Sequence, residues 1–224
     1  MNNTKHYSAQ RESMVTDQIA WRGIRTPGVL DAMRTVPRHL FVPADQRSYA
    51  YSDGALRIDH GQTISQPYIV ALMTDLLELR GGEKVLEVGT GSGYQAAVLS
   101  RLAAEVYTIE RHAPLAEKAA QILKKLHYDN IHIHTGDGSV GLPEHAPYQA
   151  IMVTAAAPKV PQPLLDQLDE GGRLVLPVGS RYSQILEYWQ RHGDQFKQKT
   201  ITAVAFVPLL GEEGWEEKIS RNLY

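Results

Sequence analysis

The chain is predicted to be α/β: a doubly wound, mostly parallel sheet of seven strands with an antiparallel edge hairpin, preceded by a helical extension. Three observations carry that prediction. From residue 84 onward, short apolar runs alternate with helix-period stretches across short linkers, the pattern of a parallel sheet flanked by helices. One run, Lys84 to Tyr94 (KVLEVGTGSGY), ends in three glycines and opens a helix, as nucleotide-type sites do at the carboxyl end of a parallel strand. Residues 1–80 lack this alternation and form the extension; residues 81–224 form the core, the whole being one compact unit.

Each element has its own signal. Arg11 to Gly23 is amphipathic, with Met14, Val15, Ile19 and Trp21 near one face and Gly23 as a stop. Thr26 and Pro27 read as the N-cap and first position of a second helix. VPRHLFVP (Val36 to Pro43) is apolar, bracketed by prolines and irregular. Tyr49 to His60 is turn-rich. After GQTISQP (Gly61 to Pro67), a helix from Pro67 to Leu79 presents a wide apolar face. The alternating series follows: strands 85–88, 106–109, 131–134, 148–153 and 173–177, with helices 94–102, 114–126 and 163–168. Runs 185–189 and 201–207, joined by the polar RHGDQFKQK, read as the terminal hairpin.

Composition bounds the function. At 224 residues the chain can bury a full core, and 43% hydrophobic with 21% charged residues is that of a soluble globular protein. A net charge of −2 provides no basic footprint for nucleic acid and no polybasic membrane patch. No apolar run approaches the ~18 residues of a membrane span, and the first residues lack a secretory signal's apolar stretch. Without cysteine there is no disulfide, thiolate metal site or cysteine nucleophile. A cytoplasmic monomer is expected.

The glycine spacing identifies the ligand class. A dinucleotide fingerprint places glycines first, third and sixth, the last with glycine or alanine. Counted from Gly89, the sixth position is Tyr94; the loop Gly89, Thr90, Gly91, Ser92, Gly93 is instead G-x-G-x-G. Glu110 ends the next strand and is placed to accept both ribose hydroxyls of an adenosine. Asp137, in the sequence Gly136-Asp137-Gly138, ends the third strand and is placed to reach the adenine amino group. Glu87, just before the glycines, is placed to hold an ammonium group through its charge. Any one of these carboxylates is equally explained as a solvated strand end. Three in order after successive strands favour adenosine with a cationic amino-acid tail over a dinucleotide.

This set resembles the class I S-adenosylmethionine-dependent methyltransferases, whose Rossmann-like sheet and cofactor the resemblance implies. No [DNS]-P-P-[YFW] signature of nucleic-acid amino-methyltransferases follows the fourth strand; VTAAAP, Val153 to Pro158, stands there. No metal-ligand cluster stands out: His132 and His134 share a strand face around Ile133 and read as structural or exposed. GQTISQP, VPRHLFVP, VTAAAPKVPQPLLDQLDEGGRLVLPVG and FVPLLGEEGW, in that order from about Met14 to Trp215, resemble the protein-L-isoaspartate O-methyltransferase family.

That resemblance implies an acceptor: the free α-carboxylate of an L-isoaspartyl residue in a damaged protein or peptide. It also implies Ser65 as the functional serine, with Gln62, Thr63, Ile64, Tyr68, Thr154 and Ala155 around the acceptor. By itself, Ser65 two residues before a helical proline is as well explained as an N-cap. Two departures from the family pattern stand out. The fourth strand opens with Tyr148-Gln149 rather than Tyr-Asp, and ALRIDHG replaces an LPIG-like segment before GQTIS.

Overall fold

The structure, a computed structural model, describes residues 2–216. Helix α1 (Asn2–Ser13) runs directly into a π-helical stretch, Met14–Ala20, and α2 (Pro27–Thr35) follows. The first helix thus begins well before Arg11, because NNTKHYSAQRES carries no apolar stripe for a periodicity argument to detect. Thr26 occupies the expected cap position of α2, but its side chain makes no capping hydrogen bond. Two 3₁₀ turns, Arg38–Leu40 and Ala44–Tyr49, fill the proline-bracketed segment. A ribbon pairs β1 (Leu56–Arg57), in the stretch expected to be turn-rich, with β2 (Thr63–Ile64), in GQTISQP, Leu56 lying opposite Ile64. Two-residue strands are too short to leave a period in sequence. Helix α3 spans Pro67–Leu76.

The core then follows as β3 (Lys84–Val88), α4 (Tyr94–Leu99), β4 (Glu105–Glu110), α5 (Ala113–Lys125) and β5 (Ile131–Thr135). After it come β6 (Tyr148–Val153), α6 (Gln162–Asp166), β7 (Leu168–Gly179), β8 (Gln184–His192) and β9 (Gln195–Val204). The sheet order is β5-β4-β3-β6-β7-β8-β9. The first five strands run parallel, and β7, β8 and β9 pair antiparallel, as expected. The chain winds outward from β3 through β4 to β5, then returns to β6 on the other side of β3. That reversal opens a crevice at the carboxyl ends of these strands. The expected RHGDQFKQK connection is mostly strand: His192 pairs with Gln195, leaving only Gly193 and Asp194 to turn. Strand β9 is exposed over most of its length, so its first residues carry little apolar signal.

Apolar burial fixes the extension to the sheet. Met14, Ile19 and Met33 are fully buried in one cluster with Tyr94, Ala97 and Val98 of α4 and Leu123 of α5. Each such side chain contributes about 1.5–3 kcal/mol. Gln149 resolves one departure from the family pattern. Its Oε1 accepts from the Lys84 amide at 2.8 Å, and its Nε2 donates to Asp169 at 2.8 Å. A carboxylate could take the first bond but would meet Asp169 as a like charge. Away from the crevice, Tyr107 of β4 stacks on His132 at 4.8 Å and on His145 at 4.3 Å. Burial, then the neighbouring His145, hold His134 below the usual histidine pKa. Among the described residues no helix is long and apolar enough to cross a membrane.

Candidate active site

The glycine loop leaves the end of β3 and is clamped from β6. Gly89 has φ +99°, and a Cβ there would collide with the Thr154 hydroxyl. That hydroxyl donates to the Gly89 carbonyl at 2.6 Å, and the Thr154 amide donates to Val88 at 2.9 Å. Gly93 has φ +85°, and a Cβ there would press on Ala119 at 3.2 Å, so the third glycine lets α4 start close against α5.

Beneath the loop, Glu87 is fully buried. It accepts from Thr108 at 2.6 Å, and Thr108 is in turn bonded to Thr90 at 2.7 Å. Burial pushes the Glu87 carboxyl up to about 8, with Glu110 adding to the effect against the Thr108 bond. The expectation that Glu87 faces a ligand ammonium as a charge is therefore corrected. Glu87 lies buried under the loop, where burial favours its neutral form, and does not line the cleft.

Glu110, at the end of β4, does line the cleft. One carboxylate oxygen accepts the Gly91 amide at 2.8 Å and the other the His112 amide at 2.9 Å, which aims the group and ties it to the glycine loop. Asp137 is placed differently from expectation. Its Oδ1 accepts the Ser139 hydroxyl at 2.7 Å and amide at 2.9 Å, and its Oδ2 accepts the Glu212 amide at 2.7 Å. Burial works to raise its pKa, but these donors outweigh it and hold the carboxyl below the usual range. Asp137 anchors the segment around Glu212 and lies outside the cleft lining, whereas Gly138 lines it. A Cβ at Gly138 would come within 2.6 Å of Val88.

The side expected to face the acceptor comes from the extension. Gln62, Thr63, Ile64 and Ser65 line the same cleft as Gly89 to Ser92, while Tyr68 does not. Helix α3 begins after Gln66 with no side-chain cap, and among the described residues the Ser65 hydroxyl makes no hydrogen bond. The plain N-cap explanation is thereby excluded. The Ser65 backbone, by contrast, is held: fully buried Arg38 donates to its carbonyl at 2.7 Å and to Ala50 at 2.8 Å. Gln66 donates to Asp53 at 2.7 Å, Asp53 pairs with Arg22, and the Arg22 guanidinium lies 5.1 Å from the Tyr68 ring. Tyr68 thus backs the loop from outside.

Thr154 and Ala155 close the third side, with Val207 to Leu210 drawn in by hydrogen bonds between Ala156 and Val207 and between Leu209 and Ala156, both 2.8 Å. The cleft encloses about 910 Å³ when the solvent in its open mouth is counted. Sequence reasoning missed Val70, Met73, Gln95, Arg111 and His112 in its lining. Arg111 and His112 directly follow Glu110, so the rule that ligands bind beyond strand carboxyl ends could have found them. His60, at φ +56°, stacks on His112 at 5.4 Å, and Asp59 pairs with Lys118 at 2.8 Å. The ALRIDHG departure therefore borders the Glu110 side of the cleft.

A doubly wound sheet whose glycine loop and strand-end carboxylate share one cleft with a loop of the extension has the architecture of a class I methyltransferase. Comparison with known proteins narrows the class. A family profile described as protein-L-isoaspartate(D-aspartate) O-methyltransferase matches residues 9–214. The chain belongs to this family. It is 56% identical over 208 residues to protein-L-isoaspartate O-methyltransferase 2 of Pelobacter propionicus, covering 92% of each chain. It is 53% identical over 209 residues to the Roseiflexus sp. (strain RS-1) protein-L-isoaspartate O-methyltransferase, covering 93% of this chain and 95% of that one. A solved protein-L-isoaspartate O-methyltransferase superposes with a TM-score of 0.83 at 30% identity, over 91% of this chain and 67% of the other. A Plasmodium falciparum relative solved with S-adenosyl-L-homocysteine superposes with a TM-score of 0.76 at 26% identity, over 89% and 98% of the chains.

Proposed function

We infer that the chain methylates the free α-carboxylate of L-isoaspartyl residues in damaged proteins and peptides, using S-adenosyl-L-methionine as donor. One observation carries this reading: the neutral loop Gln62 to Ser65 and the glycine loop line a single cleft. The cleft suits the donor. Glu110 offers a fixed carboxylate for ribose, Val88 and Ile109 supply apolar wall, and Gly89 to Ser92 with Gly138 allow close backbone approach. When bound, S-adenosyl-L-methionine supplies an already electrophilic sulfonium methyl.

The protein's own residues need only position the acceptor. A carboxylate is ionised at pH 7, so no general base is required. The unengaged Ser65 hydroxyl and the amides around Thr63 orient it without neutralising it, where a cationic clamp would lower its nucleophilicity. Ile64, Val70, Ala155 and Leu209 form apolar wall that excludes water, leaving proximity and orientation as the main sources of rate. The methyl ester then activates its own carbonyl. The following backbone nitrogen attacks it, methanol leaves, and hydrolysis of the succinimide returns part of the chain to normal aspartate. Both halves of the cleft come from one chain, so a monomer suffices.

The test uses paired peptides identical except for an L-isoaspartyl or a normal L-aspartyl residue, with labelled donor. Label entering only the isoaspartyl peptide is expected. Equal labelling of both, or none while the cofactor still binds, contradicts the reading.

A further inference from the structure

We propose that His134, Glu144 and His145 form a zinc-type metal site that ties strand β5 to the turn entering β6. One ligand atom from each residue lies within 4.8 Å of the others. Tetrahedral zinc, with bonds of about 2.0–2.1 Å, spaces its ligands roughly 3.3 Å apart, so closure needs side-chain shifts of about 1 Å. Glu144 is exposed and has the freedom to make that shift, while both histidines are half-buried. Two imidazoles with one carboxylate is a donor set for zinc, nickel or copper and a poor one for magnesium.

The supports are already in place. The His134 and His145 rings lie 5.1 Å apart at 58°, neither stacked face to face nor pointed away from each other. His145 stacks on Tyr107 at 4.3 Å, and its carbonyl accepts from the Lys84 ammonium at 2.6 Å, which fixes the turn. That turn, Pro143–His145, starts on one proline and is followed two residues on by Pro147. His132, on the same strand face, is directed to Glu105 at 3.8 Å, which leaves a fourth position to solvent.

None of the three ligands lines the cleft. They do bracket the segment that brings Gly138 to it. A bound ion would close that short segment into a loop and restrain the cofactor-side backbone without touching either substrate.

Metal-stripped protein titrated calorimetrically with zinc chloride provides the test, with magnesium chloride as control. One equivalent of zinc is expected to bind and raise the melting temperature, with no response to magnesium. Affinity should fall about tenfold or more in Glu144→Gln and in His145→Gln. Glu144 is exposed, so its variant keeps the experiment valid should His145→Gln fail to fold. Absence of saturable one-equivalent binding overturns the proposal, as does binding unchanged in Glu144→Gln. Neither result bears on methyl transfer to isoaspartyl peptides, which the peptide pair tests separately.

Discussion

Arg38, fully buried, donates from Nη2 to the carbonyl oxygen of Ser65 at 2.7 Å, so a cation inside the extension holds the backbone of the loop proposed to receive the acceptor. The same guanidinium bonds Ala50 and lies 4.8 Å from the ring of Tyr94, the first residue after the glycine loop. One side chain thus links the two halves of the cleft. Lysine keeps the charge but cannot span two carbonyls with a planar fork. Arg38→Lys should lower stability by about 2–4 kcal/mol. It should also raise KM for an isoaspartyl peptide more than Kd for the cofactor. Denaturant midpoints and the two constants check this; an unchanged peptide KM removes Arg38 from loop positioning.

Glu110 holds the Gly91 and His112 amides through separate oxygens. Gln at this position accepts through one oxygen only and loses the charge. Glu110→Gln should weaken S-adenosyl-L-homocysteine binding about 10–100-fold, the equivalent of losing one or two charge-assisted bonds. Calorimetric titration measures it. Wild-type affinity in the variant would confine Glu110 to shaping the loop.

Glu87 makes stability pH-dependent with a definite sign. Its folded pKa, about 8, lies above the ordinary 4.5, so between those values the folded state holds a proton that the unfolded state releases. Stability from this group is complete below about pH 4.5 and is lost as pH rises toward 8. Glu87→Gln, neutral at every pH, should flatten the fall in melting temperature between pH 5 and pH 8 that the wild type shows (roughly that window by linkage). Parallel curves for both proteins would mean that Glu87 titrates normally in the fold.

The sequence carried the sheet because alternating periods and a glycine loop are local signals. Its lapses share one cause: burial is not local. Glu87 and Asp137 sit at strand ends, as expected of ligand groups, yet the fold turns one under the loop and gives the other to Ser139 and Glu212. Arginine is rarely fully buried, so nothing in VPRHLFVP marked Arg38 as the group that holds Ser65. His134 and His145 are separated by a loop and meet only once β5 and the turn before β6 are packed. Ser65 could be assigned two roles in sequence, and the helix start at Gln66 removes one of them.

The division of labour between the two loops is tested most directly by Ser65→Ala in single-turnover methyl transfer to an isoaspartyl peptide, with cofactor affinity measured alongside. The transfer rate should fall by about tenfold or more, as for loss of an orienting donor. Cofactor affinity should stay at the wild-type value, and stability within about 0.5 kcal/mol of it, because no cap is lost. A wild-type transfer rate, or a loss of cofactor affinity equal to the loss of rate, would contradict the account.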